Sequence, residues 1–244
     1  MKYRYERKYL VPNHQLPALR ARIMPFVRPD FYASQHKDFP EYTVRSIYLD
    51  SPHLESLMDK NEGYKVRKKL RIRGYDQPHS GSQVFLEIKR KEGNRIAKNR
   101  ALLPFSNLEQ CLEEGADPPV DSLILDSKNQ DDLIRFLYHK NRKLQQPVNL
   151  IVYDREPYHG KFDPGVRITF DKNIRSMFKP HYDQLYSDSN LTLVWPEHFI
   201  LEIKYFEAPM PTWAKSLVHD FKLQSQALSK YAEGYYVHQF KNVL

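Results

Sequence analysis

Charged and apolar side chains alternate with period two through segment after segment of this chain. A β-strand is the regular structure that sorts such a pattern onto two faces. From Lys65 to Tyr75, one side carries Lys65, Arg67, Lys69, Arg71 and Arg73, and the other Val66, Lys68, Leu70 and Ile72. From Val84 to Lys91, Phe85, Glu87, Lys89 and Lys91 oppose Val84, Leu86, Ile88 and Arg90. Glu202 and Lys204 oppose Leu201, Ile203 and Tyr205; Arg167, Thr169 and Asp171 oppose Val166, Ile168 and Phe170; Glu6 and Lys8 oppose Tyr5, Arg7 and Tyr9. Strands are therefore expected over Arg4–Val11, Val44–Asp50, Lys65–Tyr75, Val84–Lys91, Asn149–Tyr158, Val166–Arg175 and Ile200–Phe206.

Helical periodicity fills the intervals. It predicts helices over Asn13–Phe26, His53–Lys60, Ser106–Glu114, Asp121–Lys143 (with a break near Ser127), Pro211–Phe221 and Gln226–Phe240. No regular βαβ alternation links the strands. The expected class is α+β: an antiparallel sheet or barrel with helices outside and a helical C-terminus. With 244 residues, 41% of them hydrophobic, and no repeat or long linker, one domain over 1–244 is expected.

Several function classes fall away on composition. No apolar run reaches the roughly 20 residues a membrane helix needs. The opening residues, Met1 to Lys8, lack an apolar signal-like region, and Cys111 is the sole cysteine. A cytoplasmic protein without disulfides or a cysteine metal site is the expectation. Neither a Walker-type loop nor GxGxxG is present, and the ten histidines show no metal-ligand spacing. The net charge of +8 favours an anionic partner.

The charged strand faces admit two readings. In one, a half-solvated sheet turns them to water. In the other, the sheet closes and they line a lumen, where crowded like charges are costly unless a polyanion fills it.

A resemblance bears on this choice. Glu6-Arg7-Lys8-Tyr9, Arg45-Ser46-Ile47-Tyr48-Leu49-Asp50, Lys69-Leu70-Arg71-Ile72-Arg73-Gly74-Tyr75, Phe85-Leu86-Glu87-Ile88-Lys89-Arg90-Lys91, Tyr153-Asp154-Arg155, Val166-Arg167-Ile168-Thr169-Phe170-Asp171, Leu201-Glu202-Ile203-Lys204 and Ser229-Lys230-Tyr231 together resemble the VTC-type polyphosphate-polymerase domain of the triphosphate tunnel metalloenzymes (CYTH-like). In order, they cover nearly the whole chain. The resemblance implies an eight-stranded antiparallel β-barrel, the triphosphate tunnel fold, with helices packed outside. Related members begin with Glu-x-Glu-x-Lys; here Arg4 stands where the first Glu would, which points to the VTC-like branch and removes one metal ligand.

By that resemblance Lys8, Arg71, Arg73, Lys89, Arg155, Arg167 and Lys204 hold the triphosphate of ATP as the catalytic set. Lys230 sits near a tunnel mouth, and Lys65, Arg67 and Lys91 extend the basic track. Glu202 is the expected ligand of Mn²⁺ or Mg²⁺, since a carboxylate beside phosphate oxygens suits hard cations. Glu6 and Glu87 either meet metal-bound waters or hold neighbouring Arg and Lys in place, and the placing role is favoured; Asp171 is open between the two.

The implied activity is ATP-dependent polyphosphate synthesis, with the γ-phosphate passing to a growing chain and ADP leaving. A tunnel triphosphatase and a non-catalytic polyanion-binding module are the alternatives. The partners are then ATP and polyphosphate or triphosphate. Nucleic acid is not expected, because Glu6, Glu87 and Glu202 share the basic strands. A membrane or export partner would lie outside this chain.

Overall fold

The computed structural model describes residues 5–34, 40–93, 95–113, 127–206 and 209–241. These form strands β1 (Tyr5–Pro12), β2 (Val27–Pro29), β3 (Tyr42–Asp50), β4 (Val66–Tyr75), β5 (Gln83–Glu92), β6 (Arg95–Pro104), β7 (Gln146–Gly160), β8 (Arg167–Phe178), β9 (Thr192–Leu193) and β10 (His198–Tyr205). The helices are α1 (Leu16–Ile23), α2 (Phe31–Ser34), α3 (Glu55–Asn61), α4 (Leu108–Glu113), α5 (Ser127–Arg142), α6 (Thr212–Asp220) and α7 (Lys230–Lys241). Two compact units emerge. The first gathers Met1–Thr43, Tyr153–Arg175 and Leu193–Lys230; the second gathers Val44–Val152, Ser176–Thr192 and Tyr231–Leu244.

In the first unit the strands run in the hydrogen-bonded order β1-β10-β8-β7, with β2 on β7. β1 pairs antiparallel with β10, and β10 with β8. Alternation does what the sequence predicts on the apolar side. Tyr9, Val11, Ile168, Phe170, Leu201 and Ile203 join Leu19 and Ile23 of α1 and Leu217 of α6 in one buried core. Helix α1 arrives through a 3₁₀ turn at Asn13–Gln15 and ends at Ile23, inside the predicted span.

The second unit runs β7-β3-β4-β5-β6, with antiparallel pairing of β3–β4, β4–β5 and β5–β6. Ile47, Leu49, Leu70, Ile72, Val84, Leu86, Ile88, Ala101 and Leu103 pack beneath α4 and α5, through Leu108, Cys111, Leu112, Leu133, Phe136 and Leu137. Gly74 is required by close approach: a Cβ there would lie 2.6 Å from the Tyr186 hydroxyl. Asp50, the last residue of the Arg45–Asp50 motif, caps helix α3. Its carboxylate accepts the Ser56 and Leu57 amides at 2.9 and 3.0 Å and the Tyr231 hydroxyl at 2.6 Å.

The antiparallel α+β class, the outer helices and the C-terminal helix are as expected. Ring closure is not seen: in each unit the pairings among the described residues make an open path. Strands β2, β6 and β9 add to the expected set. The last helix starts at Lys230 rather than Gln226, because residues 225–226 are tied to β1 instead: Tyr9 bridges Ser225, and the Gln226 amide donates to the Lys8 carbonyl at 2.9 Å. Arg4, Glu114 and residues 121–126 lie outside the described residues.

Candidate functional site

In the first unit, β1–β10 pairing sets Glu6 opposite Lys204 and Lys8 opposite Glu202, so the four charges alternate in sign on one face. Lys8 Nζ lies 3.2 Å from Glu6 and 4.0 Å from Glu202, and Lys204 donates directly to Glu202. Strand β8 extends this face, with Arg167 opposite Lys204 and Thr169 opposite Glu202. Asp171 accepts both nitrogens of Arg155 at 2.7 and 2.8 Å and the Lys230 ammonium at 2.6 Å. Arg155 reaches on to within 3.6 Å of Glu202. The Tyr153 ring lies under both cations, 5.2 Å from Arg155 and 4.7 Å from Lys230.

Burial takes the carboxylates of this face out of water even though the strand pairings among the described residues stay open. Asp171 is 0% exposed and Glu202 5%, where a half-solvated sheet would leave both in water. Two donors within the cluster are themselves buried without a partner among the described residues: Arg167 Nε and Thr169 Oγ1. Among the described residues Arg167 makes long contacts through its terminal nitrogen, 3.5 Å to Asp30 and 3.4 Å to the Tyr42 hydroxyl. Buried polar atoms are nearly always satisfied, so a pair of orphaned donors two residues apart on one face marks where an acceptor belongs.

The electrostatics agree. Burial pushes the Glu202 carboxyl up, but Lys204, a hydrogen bond from Glu6, Lys8 and Arg155 outweigh it and hold the group well below the carboxylate range. Asp171 is likewise held down, by Arg155 and Lys230 against burial. Burial drives Lys204 down to about 8 despite Glu202. Glu6 and Glu202 are thus side chains close enough to hydrogen-bond, ringed by cations.

In the second unit, register builds a basic face across three strands. Arg67, Lys69, Arg71 and Arg73 of β4 align with Lys89 and Lys91 of β5 and with Lys98 and Arg100 of β6: eight cations around one carboxylate, Glu87. Lys69, Lys89 and Lys98 are direct cross-strand neighbours. Like charges directly opposite destabilise a sheet, so this row costs stability that a bound anion would offset. Glu87 is fully buried; Arg71 meets it at 2.7 Å, Arg100 at 2.7 Å and Lys98 more closely still. Burial raises the Glu87 carboxyl, yet Arg71, Arg73 and Lys98 overwhelm that and keep it ionised far below its ordinary range. Lys98, chiefly through burial and despite Glu87, falls to about 7. Arg71 also donates to the Tyr48 hydroxyl at 3.1 Å, and Arg73 to Ser46 at 3.1 Å.

The expected residues therefore fall into two sets. Glu6, Lys8, Arg155, Arg167, Glu202, Lys204 and Lys230 assemble in the first unit. Arg67, Arg71, Arg73, Glu87, Lys89 and Lys91 assemble in the second, where Arg67 also donates to the Lys60 carbonyl at 3.4 Å. Lys65 is exposed and precedes β4. Lys98, Arg100, Lys69 and Thr169 were not among the expected site residues. Lys98 and Arg100 lie on β6, whose Ala97, Asn99 and Ala101 give no strong apolar alternation; only pairing with β5 reveals them.

Crowded cations, a few buried carboxylates and orphaned donors give each unit a strongly basic face suited to anionic groups. The chain belongs to the VTC domain family, whose model matches residues 3–238. Among solved structures it is similar to the PH1819 protein from Pyrococcus horikoshii OT3, at 12% identity over 99% of this chain and 100% of that one, with a TM-score of 0.45. It is also similar to HpAC1 from Hippeastrum, a putative adenylyl cyclase described as having a dominant triphosphatase activity, at 14% identity over 93% of this chain and 92% of that one, with a TM-score of 0.49. No curated protein matches. Among the described residues no helix is long and apolar enough to cross a membrane.

Proposed function

We propose that this domain synthesises polyphosphate from ATP, passing the γ-phosphoryl group to a chain terminus and releasing ADP. The observation that carries the reading is the Lys69–Lys89–Lys98 row with its flanking arginines. Such a face suits a linear string of phosphates, and Arg71, Arg73 and Arg100 add planar donors for individual phosphate groups. The first unit carries a cationic set of its own, Lys8, Arg155, Arg167, Lys204 and Lys230, able to neutralise phosphoryl charge, and Arg167 Nε and Thr169 Oγ1, without a partner among the described residues, are donors for phosphate oxygens.

A divalent cation fits the Glu6–Glu202 pair. Both offer hard oxygens, and no group of three His, Cys, Asp or Glu forms a cage among the described residues, so phosphate oxygens and water would complete the shell. Mg²⁺ or Mn²⁺ held there would add electrostatic stabilisation of the transferring group.

The choice of synthesis over hydrolysis rests on Glu87. Hydrolysis needs a carboxylate free to orient water, whereas Glu87 is engaged by Arg71, Lys98 and Arg100. A chain-end phosphate oxygen is already ionised and needs no base. Incubation of the purified protein with ATP and Mn²⁺ tests this: long polyphosphate with stoichiometric ADP supports it. Orthophosphate as the sole phosphate product would assign a triphosphatase instead, and unchanged ATP a binding module.

A further inference from the structure

Strand alternation gives β1 and β10 a second face, turned away from Glu6, Lys8, Glu202 and Lys204. Tyr5, Arg7 and Tyr9 of β1 and Tyr205 of β10 lie on it, and together with α6 and the segment after it they line an open trough of about 950 Å³. Its floor is aromatic and apolar. The Tyr5 and Tyr205 rings stack at 5.4 Å with an interplanar angle of 17°, and Met210, Val218 and Leu223 continue the surface. Its rim is basic, with Arg7, Lys215 and Lys222, and His219 beside them.

Among the described residues no Asp or Glu lines the trough. Among the described residues, Arg7, Lys215 and Lys222 have no carboxylate within ion-pair distance; His219 alone has one, with its Nδ1 3.5 Å from Asp220. Lys222 closes the end of α6. It adopts a left-handed backbone, φ 51°, at the helix terminus, where its amide donates to the His219 carbonyl at 3.0 Å and the Leu223 amide to Val218 at 2.9 Å. Glycine commonly takes that position; here the side chain it carries is an ammonium on the rim.

We propose that the trough is a docking surface for an acidic peptide segment of a partner protein. An aromatic or aliphatic side chain of the partner seats on the Tyr5–Tyr205 pair, and its carboxylates meet Arg7, Lys215 and Lys222. Charge complementarity selects an acidic occupant. The floor selects a peptide over a bare phosphate chain, which has nothing to set against stacked tyrosines and Met210. Stacked tyrosine, methionine and arginine are also the residue types enriched in protein interfaces. The open form of the trough suits an extended segment. The proposal does not depend on the polymerase reading, because the trough and the ionic cluster lie on opposite faces of the same strands.

The test is a selection of phage-displayed random dodecapeptides on the immobilised full chain, followed by fluorescence anisotropy with the selected peptides. Selected sequences should carry Asp or Glu around one Phe, Trp or Leu and should shift the NMR resonances of Tyr5 and Tyr205. They should lose at least about tenfold in affinity against Arg7→Glu and Lys222→Glu, and against a peptide with its anchor changed to Ala. Lys215→Glu, on an exposed helical position, provides a third variant if either of the others fails to fold. The proposal is overturned if no selected peptide depends on these three residues, or if linear polyphosphate shifts the same tyrosine resonances and displaces the peptides. ATP turnover by Lys222→Glu should equal that of the unaltered protein.

Discussion

Replacing Lys98 with Met should remove a proton uptake that accompanies polyanion binding. In the free protein Lys98 has a pKa of about 7, so it is half charged at pH 7. An anion laid along Lys69, Lys89 and Lys98 restores the charged form, moving the group back toward the ordinary lysine value of ~10.4. The uptake attributable to Lys98 is then ~0.5 proton at pH 7, ~0.9 at pH 8 and ~0.1 at pH 6. By linkage, the affinity of the unaltered protein relative to the variant falls toward tenfold per pH unit above pH 7. Calorimetric titration with inorganic triphosphate, in two buffers of different ionisation enthalpy, counts the protons. Subtracting the Lys98→Met result cancels the ligand's own titration and that of Lys204. Equal uptake by the two proteins at pH 8 would refute the reasoning, and with it the placement of Lys98 against bound phosphate.

Thr169→Val, which removes a buried hydroxyl without a partner among the described residues, should raise the urea midpoint by an amount equivalent to ~1 kcal/mol while weakening triphosphate binding several-fold; a lowered midpoint would show the hydroxyl is satisfied in the free protein. Glu202→Gln should abolish stimulation by Mn²⁺ while leaving metal-free triphosphate binding within about threefold, and unchanged metal dependence would place the ion elsewhere. Asp171→Asn leaves Arg155 and Lys230 without their shared carboxylate and should cost about 3–5 kcal/mol in denaturant titrations; a loss under 1 kcal/mol would mean the two cations find other partners. Acid should act through the same carboxylates. Asp171 and Glu202 titrate below their ordinary 3.8 and 4.5, so their stabilisation is complete above about 4.5 and drains away as pH falls below it; a midpoint that declines already between pH 7 and 5 would contradict this.

Which side chains share a face was legible without coordinates wherever alternation was clean. Lys69, Arg71 and Arg73 on β4, Glu87 and Lys89 on β5, and Glu202 and Lys204 on β10 all fall where period two puts them, because a strand offers no other arrangement. Adjacency was not legible. Nothing local in Ala97-Lys98-Asn99-Arg100-Ala101 announces a partner, and only the register with β5 turns two surface-looking cations into partners of buried Glu87. The start of α7 was misjudged because Gln226 looks helical by neighbours, while its amide is committed to the Lys8 carbonyl. Asp50 sits inside a motif that reads as functional and proves to be a helix cap, a role fixed by the turn after β3 rather than by residue type. Thr169 could not have been distinguished from any other strand threonine, since its significance is a missing bond.

Each interior of this protein is stitched from stretches far apart along the chain, and that dictates how it can be made. Leu57 and Val148 share a buried cluster with Tyr231 and Ala232, so the earlier residues cannot finish packing until the later ones have been synthesised. Such non-local closure slows folding and leaves apolar surface uncovered on a nascent chain. A polyanion that bridges the Lys69–Lys89–Lys98 row would bind the finished arrangement and relieve its repulsion. It would thereby stabilise the folded product.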